Sequence, residues 1–264
     1  YSNGLYWTTN LASGMDNSPR GMTVGSYDDD KNFDLGWVDI TAQQAFSAMY
    51  LAKIADMTGA TGDSAYFKNE YSSLVKTLNE KYWDKASGNY YDIDFNGRPT
   101  RIKTIASFWP MLAKAPAQEQ ADQLVAKHLR NKREFWRPHP FPTLSKDNVL
   151  YNILGGYWRG AVWAPTEYMV IRGLLNYGYD DFAAEAVERH LNNMSQVLKD
   201  TGTIYENYSP ESPLKGSPAM GNFVGWSGVG PISMLIENII GLRANAPEDS
   251  LTWRIRRTDR HGIE

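Results

Sequence analysis

Two carboxylates draw attention because the sequence around them gives neither an evident structural task. Asp16 sits in Ala12-Ser13-Gly14-Met15-Asp16-Asn17-Ser18-Pro19-Arg20, whose small, polar and turn-forming residues mark a loop. Glu206 lies in the irregular stretch 200–226. A loop carboxylate taken alone usually just faces solvent, so Asp16 becomes a candidate proton donor only if the fold brings a second carboxylate to face it. Trp158, Arg159, Trp163 and Trp226 lie in or beside loop-like sequence as well. Sugar rings stack their apolar C–H faces on such indoles. Two carboxylates grouped with indoles suit cleavage of a glycosidic bond, in which one carboxylic acid protonates the leaving oxygen and the other carboxylate activates water. The plainer readings remain open at this point: Trp163 and Trp226 as core residues, and Arg159 as a helix-cap ion pair.

Composition narrows the partners. A chain of 264 residues with a formal net charge of −3 argues against nucleic acid or an anionic membrane and for a neutral or weakly charged ligand. Nine Trp and 16 Tyr form an aromatic surplus that suits a carbohydrate substrate. The absence of Cys excludes disulfides, thiolate metal sites and cysteine nucleophiles. No apolar run reaches membrane-spanning length, and the chain opens on Tyr1 without a signal peptide. The compartment stays open, a bacterial periplasmic or secreted one among the options. Asp28-Asp29-Asp30 lacks the alternating ligands and distal Glu of a calcium loop and reads as a solvated turn. No metal or cofactor is expected. His139, in a loop with three alternate prolines, reads as structural, and Glu237, inside an apolar helix, as a buried hydrogen-bonded group.

The elements that must position these groups follow from hydrophobic periodicity. Residues 40–57 are apolar almost all round; 63–81 carry a single apolar stripe; 101–113 are apolar and interrupted by Pro110; 117–130 are amphipathic. Residues 160–177 are again apolar, 180–198 amphipathic and 227–242 apolar. A short strand is expected at 89–95 before the Asn96-Gly97 turn, and a strand-like stretch at 251–255. Strict alternation of apolar and amphipathic helices predicts an all-α double ring, an (α/α)6 barrel or toroid, with the apolar members inside. The sequence shows no repeat period of the kind solenoids have. Seven helices fall short of six hairpins, so residues 1–243 are expected to form the C-terminal part of an incomplete barrel, with 244–264 as an extended tail. An N-terminal segment or a second chain is expected to complete the ring.

Four ordered motifs carry a resemblance: Ser13 to Arg20, then Tyr157-Trp158-Arg159-Gly160-Ala161-Val162-Trp163, then Tyr205-Glu206-Asn207-Tyr208, then Gly225-Trp226-Ser227-Gly228. Together they resemble the C-terminal part of glycoside hydrolase family 63 and its mannosylglycerate-hydrolase-like relatives, and more distantly the family-37 trehalases. The resemblance runs from about residue 5 to residue 243. It implies an (α/α)6 barrel and hydrolysis of α-glycosidic bonds with inversion. By motif, it implies Asp16 as general acid and Glu206 as general base, with Asn17, Trp158, Arg159, Trp163 and Trp226 lining the sugar site. Ala161 and Ala164 depart from the pattern, since proline is common at those positions in the family.

Overall fold

The sequence alternation is reproduced by a computed structural model, which describes residues 4–20, 36–94 and 96–256. Asp28 to Asp30 and the last eight residues of the tail lie outside the described residues. After a four-residue turn of helix, α1 (Asn10–Ser13), the first long helix is α2 (Val38–Thr58). Its buried positions include Val38, Ala42, Ala45, Ala48, Ala52 and Ala55. Small side chains along this stripe let neighbouring helices approach closely. Gly59, at φ 75°, adopts the left-handed cap that ends it, donating its N–H to the carbonyls of Ala55 and Asp56.

The amphipathic α3 (Thr61–Thr77) packs back along α2 and continues through a wide, π-helical turn, Leu78–Tyr82. A two-residue hairpin follows, β1 (Trp83–Asp84) antiparallel to β2 (Asn89–Tyr90). The strand expected over 89–95 is therefore shorter, although Ile93 still bridges to Gly36 and Pro99.

The expected helix over 101–113 is the largest local departure. Arg101 has φ 60° and Thr104 bridges to Leu144, so helical structure starts only at Ile105, as a 3-10 turn to Phe108 followed by α4 (Trp109–Leu112). Pro110 occupies the first turn of α4, where its missing N–H costs nothing, so it begins a helix instead of kinking one. Next come α5 (Gln118–Gln123), extended by a wide turn to Leu129, α6 (Ala164–Asn176), α7 (Asp180–Thr201) and α8 (Gly225–Met234), extended by a wide turn over Leu235–Ile240. The chain then forms a hairpin of β3 (Leu242–Asn245) with β4 (Ser250–Trp253). Gly241 enters it at φ 86°, where any Cβ would run into the Arg254 carbonyl.

The packing order gives the layers. Helix α2 lies on α4, α4 on α6 and α6 on α8, which makes an inner row, while α3 backs α2 and α7 backs α6 and the turn after α8. Between the layers sits one core that includes Phe108, Phe135, Phe141, Trp163, Ile171 and Phe182. The two ends of the row differ from its middle. Leu51, Ile54 and Met57 on α2, and Val229 and Ile232 on α8 with Leu235 just after it, are exposed. Among the described residues, no helix is long and apolar enough to cross a membrane.

Candidate active site

The loops leading into α2, α6 and α8 meet at one end of the inner row, and the first is fixed by an ionic anchor. Arg20, fully buried, lays its guanidinium across two carboxylates: Nε and Nη2 donate to Asp92 at 2.8 and 2.7 Å, and Nη1 and Nη2 to Asp39 at 2.7 and 2.6 Å. The guanidinium carbon also lies 4.2 Å from the centre of the Trp37 ring. Burial works against its charge, but Asp39 and Asp92 outweigh burial and raise its pKa further. Asp92 additionally accepts the Val38 N–H at 2.9 Å, tying the anchor to the start of α2. Asp39 stands before the first inner helix in the sequence, and the structure turns it away from the mouth into this anchor.

Asp16 projects from a turn in which Ser18 donates its N–H to the Met15 carbonyl at 2.9 Å and Asn10 bonds the Ser18 carbonyl at 3.0 Å. It is half-buried. Its neighbour Asn17 works as a clamp: its amide donates to the Gly156 carbonyl at 3.0 Å and accepts the Trp158 N–H at 2.8 Å, and its own carbonyl accepts from Arg159 Nε at 3.1 Å. Asn17 and Arg159, both picked as sugar ligands, thus join the Asp16 loop to the loop into α6.

That second loop is coiled tightly. Gly155, Gly156, Tyr157 and Gly160 all have positive φ, and a Cβ at Gly156 would come within 2.7 Å of the Asn152 side chain. The coil places Trp158 against Trp163 in a parallel stack with centroids 4.1 Å apart and 8° between planes. Both are largely withdrawn from solvent, at 6% and 1% exposed. Trp226, at the start of α8, is 45% exposed and its centroid lies 6.0 Å from that of Trp163. Of the three indoles chosen from sequence, Trp226 therefore offers the open ring, and the other two form the wall behind it.

Glu206 is held by the third loop. Its N–H donates to the Met220 carbonyl at 2.9 Å, its carbonyl accepts from Ser227 Oγ at 3.2 Å, and the Met220 N–H lies 3.4 Å from Oε2. The Tyr157 hydroxyl stands 3.3 Å from Oε1. Burial first, then the charges of Glu206 and Asp16, push the Tyr157 phenol up to about 12, so it stays protonated at neutral pH and can only donate to a carboxylate. Two carboxylates separated by 190 positions in sequence thus act on one phenol, Glu206 by contact and Asp16 through its charge. Sequence reasoning passed over Tyr157, although it heads the Tyr157-Trp158-Arg159 run. The signal available was the Gly155-Gly156 pair before it, which permits the unusual backbone turn.

His139 is elsewhere. It is fully buried with its Nε2 2.8 Å from Nδ1 of His190, and burial lowers both pKa values, that of His190 to about 3. This neutral pair holds the proline-rich loop against α7, in keeping with a structural role. Glu237 forms a 2.6 Å ion pair with Arg172.

Residues 1–227 match the family model described as the mannosylglycerate hydrolase MGH1-like glycoside hydrolase domain. A protein of Borreliella burgdorferi described as uncharacterized is 31% identical, across 86% of this chain and 50% of its own. A "probable mannosyl-oligosaccharide glucosidase" of Schizosaccharomyces pombe is 25% identical, across 86% of this chain and 29% of its own. The crystal structure of a family-63 mannosylglycerate hydrolase of Thermus thermophilus in complex with glucose superposes with a TM-score of 0.63 at 24% identity, over 78% of this chain and 49% of that one. The likeness gives the fold as that of the helical glycoside-hydrolase barrels. The chain spans no more than half the length of any of the three.

Proposed function

Because the chain belongs to the mannosylglycerate hydrolase MGH1-like glycoside hydrolase family, we propose that it carries the acid and base of an inverting glycosidase acting on an α-glycosidic bond. The substrate is an α-glucoside or α-mannoside, either an oligosaccharide or a small glycoside. Asp16 donates a proton to the glycosidic oxygen as the anomeric C–O bond breaks. Water attacks that carbon from the opposite face, and Glu206 takes the proton that the water loses. Each carboxyl group then returns to its starting state by proton exchange with solvent. Trp226 offers its open face to the sugar.

One observation carries this reading: the Tyr157 hydroxyl stands 3.3 Å from Glu206 Oε1, and the charge of Asp16, on the loop into a different inner helix, acts on the same phenol. A glycoside phosphorylase on a similar barrel would place basic residues where Glu206 stands. A non-catalytic sugar-binding ring would have no need of both carboxylates. The exposed apolar residues at both ends of the inner row also support a larger assembly, since an N-terminal segment or second chain closing the (α/α)6 barrel around residues 1–243 would cover them. The tail, 244–264, lies outside that barrel in this reading.

The test is made in the whole protein, on a panel of α-glucosides and α-mannosides. Asp16→Asn and Glu206→Gln are each expected to lower turnover by about two orders of magnitude or more, the usual contribution of general acid–base catalysis. Wild-type turnover in either variant would refute the assignment.

A further inference from the structure

Glu206 must present one oxygen to water at a fixed angle, yet its carboxylate lies on a loop and is only half-buried. The side-chain donor placed on it is the Tyr157 hydroxyl, 3.3 Å from Oε1, with the Met220 N–H 3.4 Å from Oε2. The effort the fold spends on this side chain exceeds what packing alone would need. Tyr157 holds φ 65°, a left-handed backbone that a non-glycine residue adopts only at a cost. It is kept there by the Trp163 indole N–H, which donates to its carbonyl at 3.3 Å, and by edge-to-face packing of its ring on Trp163 at 4.9 Å. Immediately before and after it, the Asn17 amide pins Gly156 and Trp158. Strain held by surrounding contacts beside a candidate base points to a positional requirement on the side chain.

We infer that Tyr157 is the positioning residue for Glu206: its hydroxyl donates to Oε1 and orients the carboxylate toward the attacking water. This rests on the assignment of Glu206 as base. Among the described residues, Tyr157 from the loop into α6 faces Glu206, and Asp16 from the loop into α2 acts on the same phenol through its charge. Arg159 is tied to the Asn17 carbonyl, and Lys215 lies over the neighbouring Tyr205 ring at 5.3 Å. A donor at 3.3 Å is long, and such contacts commonly shorten when substrate is bound.

The experiment uses the whole protein and α-glucosyl fluoride, or α-mannosyl fluoride if the former is not turned over, because fluoride leaves without a proton donor and the rate then reports the base. Tyr157→Phe keeps the ring and removes only the hydroxyl. Its kcat is expected to fall roughly tenfold, and the acidic limb of kcat/KM to move up by about one pH unit, as loss of one hydrogen bond to an ionised group predicts. A purely structural role would lower Tm and leave the pH profile in place. Should the phenylalanine variant not fold, 3-fluorotyrosine at position 157 gives a stronger donor, and the limb is expected to move to lower pH. An unmoved limb and unchanged kcat, with Glu206→Gln inactive, would overturn the role of Tyr157 and leave the base assignment standing. Activity retained by Glu206→Gln would overturn both.

Discussion

Two carboxylate pairs share one end of this molecule, and they are built on opposite plans. Around Arg20, Asp39 and Asp92 are fully buried and receive four donor contacts of 2.6–2.8 Å from a permanent cation. Around Tyr157, Asp16 and Glu206 are half-buried and both act on a neutral phenol, Asp16 through its charge, with the donors to Glu206 at 3.3 and 3.4 Å. The first pair has its charge matched and its lone pairs used, which fixes geometry. The second is left under-satisfied among the described residues, which leaves oxygens for a substrate and for proton transfer. What separates an anchor from a site here is how fully the carboxylates are satisfied, since each pair consists of two acidic side chains grouped around one donor residue.

The largest effect should come from breaking the anchor. Arg20→Met removes the cation and leaves two buried carboxylates facing each other, a change expected to cost about 3–5 kcal/mol. Urea unfolding of the whole protein should show it as a lower midpoint. If the midpoint stays within error, the anchor is not what holds the Asp16 loop, and the contrast between the pairs fails. By the same contrast, Asp16→Asn and Glu206→Gln should leave the unfolding free energy within about 0.5 kcal/mol of the parent while lowering turnover by about two orders of magnitude or more.

This division also explains what could be read in advance. Asp16, Glu206 and the open indole Trp226 were legible because loop composition and the four motifs mark them directly. The Arg20 anchor was not, since Asp92 is 72 positions away and no local pattern links the two. Tyr157 was hidden by more conspicuous neighbours, and its placement depends on a backbone angle that side-chain types do not announce. The layers were visible in the periodicity of α2, α3, α6 and α7. The short α4 was not, because the apolar run 101–113 looks helical throughout, while the positive φ of Arg101 and the Thr104–Leu144 bridge belong to tertiary structure.

A third carboxyl arrangement gives a smaller and opposite effect. Glu167, in the first turn of α6, is fully buried and neither of its oxygens finds a hydrogen-bond partner among the described residues. Burial raises its pKa well above the usual 4.5. Below pH 4.5 the group is protonated in both folded and unfolded chains and carries no penalty. As pH rises from there the unfolded chain ionises while the folded one resists, so stability falls toward neutral pH. Glu167→Gln should therefore gain stability over the parent progressively between pH 4 and pH 7, read as the difference in urea midpoints. A constant difference across that range would show that Glu167 does not titrate differently on folding.

The central claim is that Asp16 and Glu206 act together in a single displacement with inversion. The most direct measurement is proton NMR of the first sugar released by the whole protein from an α-glucoside or α-mannoside, recorded before mutarotation. The account predicts that the β anomer appears first. Release of the α anomer would contradict it, because retention requires a covalent intermediate and a carboxyl separation of about 5–5.5 Å, where inversion needs roughly 6.5–9.5 Å.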